Sequence, residues 1–126
     1  MMESILIVDD DVNLGTVLME ELNEIGFNSH YVNGADPAFE FLNRNSNVDL
    51  ILLDLKMPDK DGFYVLRTLR ERGLETKVIV LTAYADVKSA IDSARMGASD
   101  FISKPYDLDE LIITIRKVLQ KEDHEN

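Results

Sequence analysis

Six residues could do chemistry in this sequence, and each follows a short run that reads as a β-strand. Ile5-Leu6-Ile7-Val8 leads into Asp9-Asp10-Asp11, Leu50-Ile51-Leu52-Leu53 into Asp54, Val78-Ile79-Val80-Leu81 into Thr82, and Asp100–Ser103 into Lys104-Pro105. Singly, each has a plain structural reading. An aspartate or threonine at such a point can cap the next helix, as we read Asp11, and Lys104 can be a surface lysine. As a set they resist that reading, because carboxylates brought close together disfavour one another's ionisation. Several of them at strand ends make sense when a hard cation neutralises them. Mg2+ (or Mn2+) suits such a place: it takes one or two carboxylates, keeps waters and leaves room for a phosphate oxygen. A carboxylate can also act as a nucleophile and form an aspartyl phosphate. Phosphoryl transfer then needs positioning and positive charge, which the metal and Lys104 can supply.

The elements that must position these residues alternate regularly. Glu3–Val8 is a strand, β-branched and continuously apolar as in a parallel sheet buried on both faces. Val12–Ile25 carries Leu14, Val17, Leu18, Leu22 and Ile25 at helical spacing and stops at Gly26. Phe27–Val32 is a weaker strand. Asp36-Pro37 predicts an N-cap with proline at the first helical position, and Ala38, Phe39, Phe41 and Leu42 form that helix's apolar side. Val48–Leu55 is the strongest strand, and Met57-Pro58-Asp59-Lys60-Asp61-Gly62 is a turn cluster. Phe63–Glu71 is helical up to Gly73. Lys77–Leu81 is a strand closing at Thr82, and Asp86–Met96 is a helix with Val87, Ala90, Ile91 and Ala94 on one face. Asp100–Ser103 is a short fifth strand and Leu108–Leu119 a closing helix, before a polar tail over 121–126 that is expected to fray. Strand–helix pairs repeated five times predict an α/β protein, a doubly wound five-stranded parallel sheet covered on both faces. In such a sheet ligands bind beyond the C-terminal ends of the strands, where the six residues fall.

The chain has 126 residues, so it is read as one domain, with its core at about 4–120. It holds no cysteine, which removes disulfides, thiolate metal sites and cysteine nucleophiles. Nothing at the N-terminus reads as a signal peptide, and no apolar stretch approaches the ~20 residues of a membrane span. A cytoplasmic protein is expected, with no membrane contact. The formal charge is −11, opposite to the basic footprint of a nucleic-acid binder, so no direct nucleic-acid binding is expected. The acid is uneven: residues 1–62 carry −10 and residues 63–126 carry −1. His30 and His124 are too far apart in kind and position to suggest a metal site.

Ile5-Leu6-Ile7-Val8-Asp9-Asp10, Leu52 through Gly62, Val80-Leu81-Thr82-Ala83 and Lys104-Pro105 together resemble the receiver domain of two-component response regulators. The resemblance runs from about Ser4 to Gln120 and implies a flavodoxin-like fold with strand order 2-1-3-4-5. It also implies roles. Asp54 is the phosphoacceptor, taking its phosphoryl group from a sensor histidine kinase or a histidine phosphotransfer protein. Asp9, Asp10 and Asp54 hold the metal with the backbone carbonyl of Lys56, Asp10 directly and Asp9 often through water. Thr82, the backbone of Ala83, and Lys104 bind the phosphoryl group. Thr82 and Phe101 form the switch, Lys104–Pro105 is a cis peptide, and Lys56 and Tyr84 modulate the kinetics. For Phe101, plain packing in an edge strand stays open beside the switch role; as a ring without a hydroxyl it is expected to favour its inward position even without phosphate. The kinase is expected on the first helix and the loop after the fifth strand. Output is expected by protein contact, or by a phosphorylation-dependent dimer, through the second-half helices. Residues Thr82–Val87 and Lys104–Leu111 look most like receivers of nitrogen-regulation-type transcription activators.

Two other classes compete. A haloacid-dehalogenase-type phosphatase also places an aspartate after its first strand, but it wants Asp-x-Asp followed by Gly-Thr or similar, where this chain has Asp9-Asp10-Asp11-Val12-Asn13, and a cap insertion for which 126 residues leave little room. A flavodoxin-type cofactor binder needs a phosphate loop where this chain has three repelling carboxylates. Within the receiver reading, a stand-alone regulator and a receiver cut from a longer transcription regulator are both open.

Overall fold

The computed structural model describes residues 2–124. Five strands alternate with five helices: β1 (Ser4–Val8), α1 (Val12–Ile25), β2 (Asn28–Val32), α2 (Ala35–Arg44), β3 (Leu50–Leu53), α3 (Gly62–Glu71), β4 (Lys77–Thr82), α4 (Val87–Arg95), β5 (Asp100–Ser103) and α5 (Leu108–His124). All strand pairs are parallel and their order is β2-β1-β3-β4-β5. This is the doubly wound α/β sheet expected from the alternation.

The continuous apolar runs work because successive side chains of a strand point to opposite faces. Ile5, Ile7, Leu50, Leu52, Ile79 and Leu81 pack on one face against Leu18 and Leu22 of α1 and Leu111, Ile115 and Val118 of α5. Leu6, Val8, Ile51, Leu53, Val78 and Val80 pack on the other against Ala38 and Phe39 of α2 and Val65, Leu66 and Leu69 of α3. A strand buried on both sides needs hydrophobes at every position, and each fully buried aliphatic side chain contributes on the order of 1.5–3 kcal/mol.

Aspartates start the helices. The Asp11, Asp61 and Asp86 carboxylates accept from the N–H groups of Leu14 (3.1 Å), Tyr64 (2.9 Å) and Ser89 (2.7 Å). Gly26 ends α1 at φ 121°, a left-handed conformation that glycine adopts without a Cβ penalty.

Three expectations are corrected. The cap of α2 is Gly34, and Asp36-Pro37 lies inside the first turn. The first four N–H groups of a helix have no partner within it, so proline is tolerated throughout that turn. Asp36 is thereby released to pair with Lys60 at 2.8 Å. Strand β3 covers only Leu50–Leu53 of the expected Val48–Leu55. Helix α5 runs to His124, since no glycine or proline follows Leu119 to stop it; Glu125 and Asn126 of the expected tail lie outside the described residues. The apolar face of α4 turns to solvent: Val87 is 76% exposed and Ile91 46%, while Ser93 is the helix's buried residue. Among the described residues, no helix is long and apolar enough to cross a membrane.

Candidate functional site

Adjacent strands β1 and β3 deliver the acids to one edge of the sheet. Their ladders run just past the strand ends: the Asp54 N–H donates to the Val8 carbonyl at 3.0 Å, and the Asp9 N–H to the Val32 carbonyl at 3.2 Å. Backbone order therefore persists where the side chains leave the sheet. Carboxylate oxygens of Asp9, Asp10 and Asp54 lie within 4.8 Å of one another. Asp9 and Asp54 are buried and Asp10 is exposed, so the cluster opens to water on one side.

Lys104 reaches this cluster from beyond β4. Its N–H donates to the Thr82 carbonyl at 2.9 Å, continuing the β4–β5 ladder, and its peptide bond to Pro105 is cis. The ammonium donates to Asp9 Oδ2 at 2.6 Å and to Asp54 Oδ2 at 3.2 Å. Burial pushes the Asp9 carboxyl above its usual range, against the opposing hydrogen bond and charge of Lys104. Burial works to lower Lys104, yet its hydrogen bond to Asp9 and the charges of Asp9 and Asp54 outweigh it and hold the ammonium above its usual value. Both directions are physical: Asp9 is the more deeply enclosed partner, and Lys104 answers two carboxylates at once.

The remaining expected residues belong to β4, to β5 and to the loops after β3 and β4. Thr82 is fully buried, and its hydroxyl oxygen accepts from the Tyr84 N–H at 3.2 Å. No bond donated by that hydroxyl is found among the described residues, so its hydrogen is free for an acceptor arriving at the site. The Lys56 N–H faces Asp54 Oδ1 at 3.3 Å, and the Lys56 ammonium lies 4.6 Å from the centre of the exposed Tyr84 ring. These two side chains bridge the β3–α3 and β4–α4 loops. Phe101 is half-buried, packed with Met96 and Ala98 against the α2–α3 core. Asp11 takes no part in the acid cluster and caps α1, as its sequence position suggested.

Three supporting features were not read from the sequence. Gly62 opens α3 hard against the exit of β3: a Cβ there would stand 2.3 Å from the Asp54 carbonyl oxygen and 2.7 Å from Leu55 Cα. The Asp36–Lys60 pair ties the α2 start to the β3–α3 loop. Tyr31, at the end of β2, donates its hydroxyl to the Asp9 carbonyl at 2.6 Å and lies over Gly15 of α1. A glycine inside an otherwise amphipathic helix was the one available signal for that contact.

The donor set fits a small divalent cation. It consists of hard carboxylate oxygens, converging from buried and exposed sides, with an open water face and an ammonium already balancing one charge. A divalent cation held by Asp9, Asp10 and Asp54 would draw electron density from a phosphoryl group and screen it from the carboxylates.

Comparison with known proteins gives a consistent result. Residues 5–116 match the family described as the response regulator receiver domain. The chain is 39% identical over 116 residues to the regulatory protein AtoC of Escherichia coli K12, covering 92% of this chain and 25% of that protein. Among solved structures, the signal receiver domain of a putative LuxO repressor from Vibrio parahaemolyticus superposes with a TM-score of 0.90 at 30% identity, covering 99% of this chain and 95% of that one. NtrX from Brucella abortus gives a TM-score of 0.90 at 27% identity, covering 99% of this chain and 28% of that one. The chain spans about a quarter to a half of the length of the curated relatives it matches.

Proposed function

The chain belongs to the response regulator receiver domain family, and from that premise we propose that it accepts a phosphoryl group on Asp54 and passes the signal on through its second-half surface. The observation that carries this reading is the meeting of Asp9, Asp10 and Asp54 within 4.8 Å, with the Lys104 ammonium bonded to two of them. The family makes the phosphatase alternative unnecessary.

The transfer is a single displacement at phosphorus. A carboxylate oxygen of Asp54 forms the new O–P bond. The P–N bond to the donor imidazole of a sensor histidine kinase, or of a histidine phosphotransfer protein, breaks. The departing nitrogen keeps the electron pair and takes up a proton. Dephosphorylation reverses the loss at Asp54: water attacks phosphorus, the O–P bond breaks, and the carboxylate returns with inorganic phosphate. Lys104 neutralises charge on the phosphoryl oxygens, and the free Thr82 hydroxyl hydrogen and the Ala83 backbone bind them. Asp9 and Asp10 hold Mg2+ with Asp54 and the Lys56 carbonyl. Lys56 and Tyr84, bridging the two loops, limit how water approaches.

For partners, α1 and the β5–α5 loop receive the kinase, and the acidic first half steers that encounter. The exposed Val87 and Ile91 of α4, with Ile113 of α5 at 66% exposure, form the output face, by protein contact or by a phosphorylation-dependent dimer. A phosphoacceptor of this kind works in the cytoplasm. Because the matched relatives are longer, a receiver belonging to a longer transcription regulator is the second form of the same reading. With a charge of −11 the chain itself contributes no DNA contact.

The test is phosphorylation by acetyl phosphate, followed by intact-protein mass spectrometry. One base-labile, acid-stable phosphoryl group is expected, dependent on Mg2+ and absent from Asp54→Asn. Equal uptake by Asp54→Asn, or uptake unaffected by EDTA, refutes the assignment.

A further inference from the structure

Glycine inside a helix costs roughly 0.5–1 kcal/mol relative to alanine, yet α1 keeps Gly15 in its interior, fully enclosed and without a left-handed φ. Conformation does not explain it; space does. A Cβ at Gly15 would stand 2.1 Å from Cε1 and 2.4 Å from Cδ1 of Tyr31. The gap in α1 is filled by that ring, and the ring's position brings its hydroxyl to the Asp9 carbonyl at 2.6 Å.

The carbonyl in question belongs to the peptide unit joining Asp9 to Asp10. That unit is planar, so its orientation sets ψ of Asp9 and φ of Asp10 together, and with them the direction in which the Asp10 Cβ leaves the chain. Every other tie on this loop acts elsewhere. The Asp9 N–H is held by Val32, and the Asp9 carboxylate by Lys104 and by the Asp11 N–H at 2.9 Å. The Asp11 carboxylate caps α1. Asp10, exposed, has no side-chain hydrogen bond among the described residues, so the peptide behind it is what fixes its aim. We infer that Tyr31, seated on Gly15, is a positioning residue for the divalent-cation site: by donating to the Asp9 carbonyl it orients the peptide that points Asp10 at the metal. This rests on the metal reading given under the proposed function.

The probe is Mn2+ alone, titrated against the full chain and followed by electron paramagnetic resonance of the free ion. Tyr31→Phe keeps the ring over Gly15 and removes only the hydroxyl. Outer partners of metal ligands typically tune affinity by about 10-fold or more, and one neutral hydrogen bond is worth about a 2- to 10-fold change. A loss of about 3- to 10-fold in Mn2+ affinity is therefore expected. The same variant's phosphorylation by acetyl phosphate should be slow at low Mg2+ and reach the wild-type rate at saturating Mg2+. A merely structural role would shift the melting temperature and leave both readouts unmoved. Gly15→Ala should evict the ring and reproduce the weakened affinity; if it fails to fold, Tyr31→Phe decides alone. Wild-type Mn2+ binding that Tyr31→Phe equals overturns the positioning role. No binding by wild type overturns the metal reading, and this inference with it.

Discussion

Asp10→Asn separates charge repulsion from metal binding within one residue. Without metal, the three carboxylates lie within 4.8 Å of one another and share a single ammonium. Two unit charges at that separation repel by about 0.9 kcal/mol in water and about 3.5 kcal/mol at an effective dielectric near 20. Asp10 feels two such repulsions and one attraction, so roughly one repulsion is left. Its exposure keeps the value toward the lower figure. The positive end of α1 favours an anion there by about 0.3–1 kcal/mol, which offsets part of the remainder. Neutralising Asp10 should then stabilise the metal-free protein by about 0.5 kcal/mol, raising Tm by about 2 °C for a domain of this size. Mg2+ reverses the order. A ligand that binds only the folded state adds about 2.7 kcal/mol at one hundred times its Kd, or about 10 °C in Tm, and the variant forfeits most of that. Melting curves followed by circular dichroism, first in EDTA and then across a Mg2+ series, should cross: the variant more stable without metal, the wild type more stable with it. Parallel Mg2+ dependence in the two proteins, or a variant already less stable in EDTA, would refute the reasoning.

Two further outcomes are expected. Tyr84→Ala and Lys56→Ala, which break the 4.6 Å contact between the two side chains, should each change the rate of phosphoryl loss severalfold, read as release of inorganic phosphate. The stability cost should stay within about 0.5 kcal/mol, as for exposed positions. Thr82→Ala should uncouple the site from α4: amide shifts along Val87–Arg95 on adding beryllofluoride, a phosphoryl mimic, should appear in wild type and vanish in the variant. Unchanged shifts in Thr82→Ala, or a Phe101 ring that keeps one environment with and without the mimic, count against the switch.

How far the sequence carries depends on the range of the forces involved. Strand positions were legible because β1, β3 and β4 are buried on both faces and must be apolar throughout. The acids were legible because they follow β1 and β3 directly, and Lys104 because it follows the short, half-buried β5 next to a proline. What was not legible depended on partners far along the chain. Asp36 looks like a cap until Lys60, brought next to it by the fold, offers an ion pair. Helical spacing puts Val87 and Ile91 on one face of α4 without saying what that face meets; only the placement of α4, with Ser93 its buried residue, shows that they face water. Tyr31 sits in the weakest strand pattern of the chain, and its partners are a glycine sixteen positions earlier and a backbone carbonyl. No periodicity records a hydrogen bond to main chain.

Charge balance connects the acid cluster to the exposed face. Three carboxylates and Lys104 amount to a formal −2, which one divalent cation brings to zero. A phosphoryl group replaces the single charge of Asp54 by one and a half to two charges and adds strong acceptors, so the neutral cluster becomes negative again and has acceptors to satisfy. Lys104 is already committed to Asp9 at 2.6 Å and to Asp54 at 3.2 Å. A side-chain donor with no acceptor among the described residues is the Thr82 hydroxyl, fully buried at the end of β4, with its oxygen held by the Tyr84 N–H. In the proposed switch Thr82 would move toward Asp54 to donate, and through the Tyr84 N–H it would pull the loop that opens α4. In that proposal Phe101, half-buried on the neighbouring strand, would fill the space left behind. A group bound at the sheet edge can shift this arrangement only by its different affinity for the two positions of Thr82. The single hydroxyl hydrogen bond therefore sets the order of the coupling, about 1–3 kcal/mol for a bond to a charged acceptor.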